Sequence, residues 1–243
     1  AAVIQTQSNT LVYDTGAKFS DRFNIGDAVI TPYLKSKGIT SLSHLIVSHG
    51  DNDHIGGAAA LIHNFQIDNI ISSVPDKFDT QISQNCYTGE TWTMDGVVFR
   101  FLHPPRTGKY SGNNDSCVLK VSNEYGTVLL TGDIERQAEN MLVMQYGRNL
   151  KSNLLIAPHH GSKTSSSMAF IENVDPDYVF FPAGYRNRFG FPNQDIIDRY
   201  HEFGIDSYMT YKSGALTVQF TGDKYSISEY RHDHRRFWHY RPE

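Results

Sequence analysis

Short apolar runs separated by polar turns recur along this chain, and most of the runs have the length of a β-strand. Apolar or β-branched runs bounded by Gly, Asn, Asp or Ser are typical of strands. Ser8 and Asn9 predict a hairpin turn between the first two runs, and Asp95 and Gly96 predict another. Strands are predicted at residues 3–7, 11–14, 45–47, 69–73, 117–122, 127–130, 154–157, 178–182, 207–211 and 215–220, with two more between 91 and 102.

Other segments carry their apolar residues at helical spacing. Helices are predicted at residues 25–37, 55–65, 135–146 and 193–203. Gly38 should end the first helix, Pro32 should bend it, and Asn193 should cap the start of the last one. Strands and helices that alternate indicate an α/β fold. Because the sequence has neither an internal repeat nor a low-complexity linker, we predict one domain over residues 1–243.

Titratable side chains follow several of the predicted strands at the points where those strands end. Two imidazoles and two carboxylates fall within residues 49–54, on the turn between a buried strand and a helix. The titratable residues at strand ends are Asp14, His49, Asp51, Asp53, His54, Asp133, His159 and His160. Such a group is costly to keep at a strand end unless something binds it, so the turn predicts a divalent metal site.

The composition is that of an ordinary globular protein, with 39% hydrophobic and 20% charged residues. A net charge of −4 argues against bulk nucleic-acid binding, although not against a local basic strip. No apolar stretch reaches the roughly 18 residues of a membrane-spanning helix. The chain starts on a strand-like run without Met or a signal peptide, so we expect it to be part of a longer protein.

The two cysteines, Cys86 and Cys117, leave two interpretations open. Either both are unpaired and act as small buried hydrophobic residues, or they form one disulfide, which would indicate an oxidising compartment. Neither belongs to a C-x-x-C motif, so a zinc–thiolate site is not expected.

The order of the motifs resembles the metallo-β-lactamase superfamily. A strand precedes Asp14, the His-x-Asp-x-Asp-His box occupies residues 49–54, and further strands precede Asp133 and His160. Nearly the full chain also resembles the C-terminal domain of the ComEC family of competence DNA-uptake channels, on residues 86–92, 113–117, 159–162 and 184–190. The resemblance implies a four-layered αββα sandwich with a metal site at one edge of two facing sheets.

The resemblance also implies a setting for the domain. The intact protein would be a polytopic membrane channel for natural transformation. This domain would lie on the outer, periplasmic face of the cytoplasmic membrane, which fits a disulfide between Cys86 and Cys117. It would be a nuclease that degrades the DNA strand that is not imported. Its partners would be DNA, in single-stranded form, and the channel portion of the same protein, and the isolated domain would be monomeric.

A ligand set follows from the same resemblance. His49 and Asp51 would hold one metal ion, Asp53, His54 and His160 a second, and Asp133 would bridge the two. His160 is favoured over His159 because the ligand of the superfamily directly precedes a small residue, here Gly161. His159 would contact the substrate or protonate the leaving oxygen, so that it forms the catalytic group together with Asp53 and Asp133. Asp14 is interpreted as a residue that orients a ligating histidine or holds the loop of the box, with a simple turn residue before Gly16 as the alternative.

Two departures from the superfamily pattern bear on the metal. Asp51 stands where the box usually has a second His, and the His expected between Leu102 and Val118 has no clear match. In that stretch, Asp115 and Ser116 either contact the metal or a phosphate, or belong to a polar turn. Oxygen replaces nitrogen at one metal position, which favours two Mn²⁺ ions over Zn²⁺, with Mg²⁺ possible, unless that position is weak or empty.

Two segments are candidates for substrate binding. Ser162 and Lys163 follow the histidine pair and could bind phosphate oxygens. Asn187 and Arg188 lie between aromatic residues, a combination that suits a single nucleic-acid strand. The sequence therefore predicts a metal-dependent DNA nuclease. The alternatives are a non-catalytic module that binds or guides DNA at the channel mouth, and a small-molecule hydrolase of the same fold.

Overall fold

The computed structural model describes residues 1–80, 82–108, 110–222 and 224–235. The chain divides into two compact units, an N-terminal unit, Ala1–Leu119, and a C-terminal unit, Lys120–Glu243. Both alternate strands with helices, as the hydrophobic pattern predicts. Among the helices of the described residues, none is long and apolar enough to cross a membrane. The prediction of a single domain stays a prediction.

The N-terminal unit contains a five-stranded sheet. The strands of the unit are β1 (Ala2–Gln5), β2 (Thr10–Tyr13), β3 (Lys18–Ser20), β4 (Phe23–Asn24), β5 (Ser41–Val47), β6 (Gln66–Ser72), β7 (Ser83–Gln84), β8 (Thr91–Met94) and β9 (Val97–His103). The sheet has the order β1-β2-β5-β6-β7. β1 and β2 form the predicted antiparallel hairpin, and β2, β5, β6 and β7 run parallel. β8 and β9 form the second predicted hairpin.

The helices of this unit are shorter than the sequence predicts. They are α1 (Thr31–Ser36), α2 (Asn52–Ile55) and α3 (Ala58–Asn64). A π-helical segment, Gly26–Ile30, precedes α1 and takes up the start of the predicted helix. The prediction of one continuous helix over residues 55–65 is wrong because α2 and α3 are separated by two glycines. A Cβ atom on Gly57 would lie 2.3 Å from the carbonyl oxygen of Thr15, so the chain is too close there for any larger residue.

The C-terminal unit has a mainly parallel sheet. Its elements are β10 (Val118–Asn123, which contains the unit boundary), β11 (Gly126–Leu130), α4 (Arg136–Tyr146), β12 (Leu154–Ile156), α5 (Met168–Val174), β13 (Tyr178–Phe181), α6 (Gln194–Glu202), β14 (Asp206–Met209), α7 (Thr210–Ser213), β15 (Leu216–Thr221), β16 (Lys224–Glu229) and α8 (Tyr230–Asp233). β11, β12, β13 and β14 are parallel neighbours. Asn193 caps α6 as predicted, accepting a hydrogen bond from the Asp195 amide.

Several features of this unit differ from the pattern-based prediction, which has no counterpart for α5, α7, β16 or α8. The helix α5 is only seven residues long; Ser167 caps it by accepting a hydrogen bond from the Phe170 amide. The strand predicted at residues 207–211 ends earlier, since α7 begins at Thr210.

The pairing of the cysteines decides between the two interpretations that the sequence leaves open. Cys86 and Cys117 form a disulfide within the N-terminal unit, with Cα atoms 5.7 Å apart. Both residues are fully buried.

Candidate metal centre

In the N-terminal unit, two parallel strands bring the histidine box and Asp14 together. Asp14 follows β2, and the box follows β5, the parallel neighbour of β2. Parallel strands end at the same edge of a sheet, so the residues after them share that edge. The Asp14 amide donates to the carbonyl oxygen of Ile46 at 2.8 Å. With φ at 61°, the backbone of Asp14 then turns in the left-handed region.

The carboxylate of Asp14 organises the start of the box. One oxygen accepts a hydrogen bond from the Ser48 amide at 2.7 Å, and the other accepts one from the Ser48 hydroxyl at 3.1 Å. The second oxygen also lies 2.8 Å from Nδ1 of His54. The Ser48 hydroxyl lies 3.2 Å from Nδ1 of His49 and 3.0 Å from Nδ1 of His54. Both imidazoles therefore direct Nδ1 to the Ser48 hydroxyl, and that of His54 also contacts Asp14.

This network defines the chemistry of His54. Burial by itself raises the pKa of the Asp14 carboxyl, but the nearby His54 imidazole and the hydrogen bonds from His54 and Ser48 hold that pKa below its usual value. The ionised carboxylate favours the tautomer of His54 with its proton on Nδ1, so the lone pair is on Nε2. A carboxylate behind the remote nitrogen is the usual support of a metal-ligating histidine.

The two other carboxylates of the box are exposed beside the imidazoles. An oxygen of Asp51 lies 3.6 Å from Nε2 of His49, and an oxygen of Asp53 lies 3.8 Å from Nε2 of His54. The Asp51 and Asp53 side chains are 62% and 51% exposed, whereas both imidazoles are buried. Each Nε2 atom thus points toward a carboxylate at the protein surface.

In the C-terminal unit, Asp133 follows β11 and the histidine pair follows its parallel neighbour β12. An oxygen of the buried Asp133 carboxylate lies 3.4 Å from Nε2 of His160 and 3.8 Å from Nε2 of His159. The His159 amide donates to the carbonyl oxygen of Gly132 at 3.2 Å, which ties the two strand ends together.

Left-handed backbone conformations place the two imidazoles. His159, His160 and Gly161 have φ angles of 48°, 54° and 85° in succession. The glycine is required by space as well as by conformation, because a Cβ atom on Gly161 would lie 2.7 Å from Cβ of Pro192 and 2.8 Å from the Phe181 ring. The predicted small residue after His160 therefore has a packing role here.

Residues that the sequence analysis did not single out support His159. Nδ1 of His159 lies 3.4 Å from a carboxylate oxygen of Glu135 and 3.3 Å from the hydroxyl of Thr164. That hydroxyl donates to the same Glu135 oxygen at 3.0 Å. Glu135 directly precedes α4, and no local pattern relates it to a histidine pair more than twenty residues later.

The loop after the histidines is fixed by a second missed residue, Glu139. Its buried carboxylate accepts hydrogen bonds from the amides of Ser166 at 2.5 Å and Ser167 at 2.8 Å. Burial raises the pKa of Glu139, and the hydrogen bonds from Ser167 and Ser166 oppose that shift. The signal for Glu139 in the sequence was only a glutamate within the apolar face of a helix.

Each of the four predicted substrate-binding residues contacts a different kind of partner within the C-terminal unit. The hydroxyl of Ser162 lies 3.0 Å from that of Thr164. The ammonium of Lys163 pairs with Asp195 at 2.6 Å. The Asn187 side chain bonds to the backbone of its own loop. The guanidinium of Arg188 lies over the ring of Phe189.

The stretch where the superfamily has a third histidine belongs to the N-terminal unit. Asp115 ends a 3₁₀ segment, Gly112–Asp115, and burial raises its pKa to about 6. Ser116 donates from its hydroxyl to the carbonyl oxygen of Asn113 at 2.8 Å. His103 is fully buried, with Nε2 2.7 Å from the Asn114 carbonyl oxygen. Burial lowers the pKa of His103 to about 4, partly offset by that hydrogen bond.

The chemistry of these donors fits divalent metal ions. Each unit has described side chains with donors for such ions, namely Asp53 and His54 in the N-terminal unit and Asp133 and His160 in the C-terminal unit. They offer imidazole nitrogen and carboxylate oxygen, the donors that first-row divalent metals bind in proteins. His49 and Asp51 fall outside this set and form a pair of their own.

Comparisons with known proteins agree with this chemistry. The model of the metallo-beta-lactamase superfamily matches residues 1–184. The chain is 34% identical over 216 residues to "Competence protein ComA" of Neisseria gonorrhoeae, covering 89% of this chain and 30% of that protein. It is 32% identical over 231 residues to "Recombination protein 2" of Haemophilus influenzae, covering 95% of this chain and 29% of that protein. The chain thus spans about three tenths of the length of these relatives.

Solved structures confirm the fold prediction. A crystal structure from Parabacteroides distasonis, named provisionally as a metal-dependent hydrolase, aligns with a TM-score of 0.56 at 12% identity. The alignment covers 86% of this chain and 88% of that one. At this identity the likeness concerns the fold alone, which is the predicted metallo-β-lactamase fold of the α/β class. The predicted resemblance to competence proteins is confirmed by the relatives named above.

Proposed function

Because this chain belongs to the metallo-beta-lactamase superfamily, we propose that it is a metal-dependent phosphodiesterase that cleaves DNA as part of a DNA-uptake channel. The observation that carries the metal dependence is the contact between Asp14 and Nδ1 of His54 at 2.8 Å. A buried carboxylate in this position prepares Nε2 of the histidine for a metal ion. The names of the competence-related relatives support DNA as the substrate.

We propose two divalent ions, with Mn²⁺ preferred over Zn²⁺ and Mg²⁺ as an option. The support is the identity of the donors, since Asp51 supplies oxygen where the superfamily box usually supplies nitrogen. His49 and Asp51 would hold one ion, and Asp53, His54 and His160 the other. Asp133 would contribute to both.

Bound there, the ions would neutralise the phosphate and activate water for attack on phosphorus. The residues of the chain would orient the reacting groups. Asp53 and Asp133 would present carboxylate oxygens to the ions. Glu135, whose carboxylate oxygen lies 3.4 Å from Nδ1 of His159, orients that imidazole. His159 would then hold a proton at Nε2 for the leaving oxygen.

The setting is also a proposal. The chain would be joined to a membrane channel and would lie on the periplasmic side of the cytoplasmic membrane. The buried disulfide between Cys86 and Cys117 supports this, because such bonds persist in oxidising compartments. DNA would be its main partner, and the isolated chain would be a monomer.

A cleavage assay tests the catalytic proposal. The 243-residue chain is incubated with single-stranded or double-stranded DNA in EDTA, Mg²⁺, Mn²⁺ or Zn²⁺, beside an Asp53→Ala/His54→Ala variant. We expect cleavage that needs a metal, is fastest with Mn²⁺ and is absent in the variant. Cleavage that survives in EDTA or in the variant would contradict it.

A second candidate is a non-catalytic module that binds or guides DNA. It is favoured by Asp51 in the box and by the lack of a clear third histidine. This candidate predicts DNA affinity that falls with salt, without cleavage in any metal. Hydrolysis of a small phosphodiester such as bis(p-nitrophenyl) phosphate, without DNA cleavage, would instead indicate a small-molecule hydrolase of the same fold.

A further inference from the structure

The loop at residues 184–191, which follows β13 in the C-terminal unit, connects the protein surface to the histidine pair through stacked rings. Phe189 is 61% exposed, and its ring stacks on Phe191 with centroids 5.6 Å apart and planes 21° apart. Phe191 in turn meets His159 edge-on at 5.5 Å and stacks on His160 at 6.5 Å. We call Phe189 and Phe191, with the two imidazoles behind them, the aromatic ladder.

Two guanidinium groups accompany the exposed end of the ladder. The guanidinium carbon of Arg188 lies 4.6 Å from the ring centre of Phe189, and that of Arg186 lies 5.2 Å from the ring centre of Tyr185. Residues 184–191 contain no acidic side chain, although the chain as a whole carries a net charge of −4. The loop is therefore a local basic and aromatic surface on an acidic protein.

Asn187 holds the loop in this shape. Its Nδ2 donates to the carbonyl oxygens of Gly184 at 3.0 Å and Phe191 at 2.5 Å. Its Oδ1 accepts from the amides of Phe189 at 3.2 Å and Phe191 at 3.0 Å. These four bonds span the loop from end to end. A surface that is ordered before binding loses little conformational entropy when a ligand binds.

We propose that the aromatic ladder is a stacking platform for the unpaired bases of single-stranded DNA, with Phe189 as the residue that selects single strands over duplex. The proposal rests on the proposed function, because it names how that site takes its substrate. In a duplex both faces of each base are covered by its neighbours, whereas an unpaired base can offer a face to Phe189. Arg186 and Arg188 would pair with the flanking phosphates. The rings behind Phe189 lead the strand toward His159 and His160.

Binding measured in EDTA tests the ladder separately from catalysis. Fluorescence anisotropy compares an oligothymidine strand, the same strand with abasic sites, and a duplex of equal length. We expect the 243-residue chain to bind oligothymidine more tightly than the other two. Phe189→Ala should weaken oligothymidine binding about tenfold, the usual effect of losing one stacked base, and should leave abasic binding unchanged. Phe189→Trp should restore the preference for bases.

Met144→Ala is the matched control. Met144 is 81% exposed on α4 of the same unit and is not part of the loop at residues 184–191. Its truncation removes exposed apolar surface outside the loop and should change no affinity for DNA. Arg188→Ala should reduce the salt dependence of binding by about one released counterion, while Arg188→Lys should retain it. Both arginine variants leave Phe189 in place.

The outcomes separate the two proposals. Equal affinity of the unaltered chain for abasic and base-containing strands, or equal losses for both in Phe189→Ala, would overturn the ladder. Tighter binding of duplex would overturn it as well. If the ladder behaves as expected but no metal supports cleavage, the catalytic proposal fails and the ladder stands. If cleavage is metal-dependent and Phe189→Ala binds and cleaves single strands normally, the ladder fails alone.

Discussion

The histidines of the two units are held in different ways. In the N-terminal unit, the Ser48 hydroxyl contacts Nδ1 of His49 and of His54, and the Asp14 carboxylate accepts from Nδ1 of His54. The disulfide lies directly behind that turn. The Cys117 amide donates to the carbonyl oxygen of Ser48 at 2.8 Å. In the C-terminal unit, consecutive left-handed backbone conformations and the packing of Phe191 orient His159 and His160, in addition to the contacts of Glu135 and Thr164 with His159.

This difference determines which substitutions each set of donors can tolerate. Hydrogen-bonded imidazoles depend on polar partners, so the loss of a charged partner such as Asp14 should weaken metal binding. Imidazoles placed by the backbone depend on a glycine and on close packing. A methyl group added at that glycine should therefore lower the free energy of unfolding. The predictions below test that contrast, starting with the largest effect.

Removal of the disulfide should cost the N-terminal unit most. We expect the Cys86→Ala/Cys117→Ala variant to lose about 3–4 kcal/mol of unfolding free energy, because the bond closes a loop with a sequence separation of 31 residues. Urea denaturation beside the oxidised chain measures the difference. An unchanged denaturation midpoint would show that this unit does not rely on its covalent bond.

Gly161→Ala should destabilise the C-terminal unit by about 2–3 kcal/mol. The new methyl group would both strain the left-handed backbone and collide with Pro192 and Phe181. Gly204→Ala is the matched control, because Gly204 has a φ of 71° with no atom within 4 Å of its added Cβ, and should cost about 1 kcal/mol. Urea denaturation compares the two variants, and equal losses would rule out the packing role of Gly161.

Asp14→Asn should weaken metal binding about 10- to 100-fold, since the neutral amide no longer supports the His54 imidazole. Isothermal titration with Mn²⁺ measures the affinity. Asp95→Asn is the control in the same unit: Asp95 accepts hydrogen bonds from Thr6, Ser8 and Asn9 at one end of the β1–β2 hairpin. Its replacement should leave Mn²⁺ affinity unchanged, and a loss as large as that of Asp14→Asn would contradict a specific role for Asp14.

Asp115→Asn should have the smallest effect and should depend on pH. Burial raises the pKa of Asp115 from 3.8 to about 6, so the folded state binds its proton more tightly than the unfolded state does. The ionised carboxylate therefore costs stability as pH rises from about 4 to 6, and the full cost is present at pH 7. Solvent screening of this half-buried group keeps that cost below about 1 kcal/mol. Thermal denaturation should show the variant to be more stable at pH 7 and equal at pH 4, and a constant difference would contradict the assignment.

Much of the N-terminal donor set could be predicted because its members are local. The box is contiguous at residues 49–54, and Asp14 follows a strand that the apolar pattern identifies. Parallel strands end at one edge, so the meeting of Asp14 and the box follows from the strand pattern once the two strands are neighbours. Ser48 directly precedes His49 in the sequence, but the contacts of its hydroxyl with Asp14, His49 and His54 could not be predicted from that position.

The C-terminal donor set could be predicted only in part. His159 and His160 were visible as a pair, yet the support of His159 by Glu135 and Thr164 depends on the packing of α4 beside the histidine loop. The stacking of Phe191 on both imidazoles also depends on the path of the loop after β13. Such contacts have no periodicity along the chain, so no sequence pattern reports them.

The sequence by itself determined most of the order of strands and helices, the histidine box, and the imidazole and carboxylate donors at the strand ends, because these depend on local periodicity and on residue type. The tertiary structure alone decided the disulfide between Cys86 and Cys117, which histidine Asp14 contacts, and the requirement for glycine at position 161. These features depend on distances of a few ångströms between residues that are far apart in the chain, and only the packing of strands and helices fixes such distances.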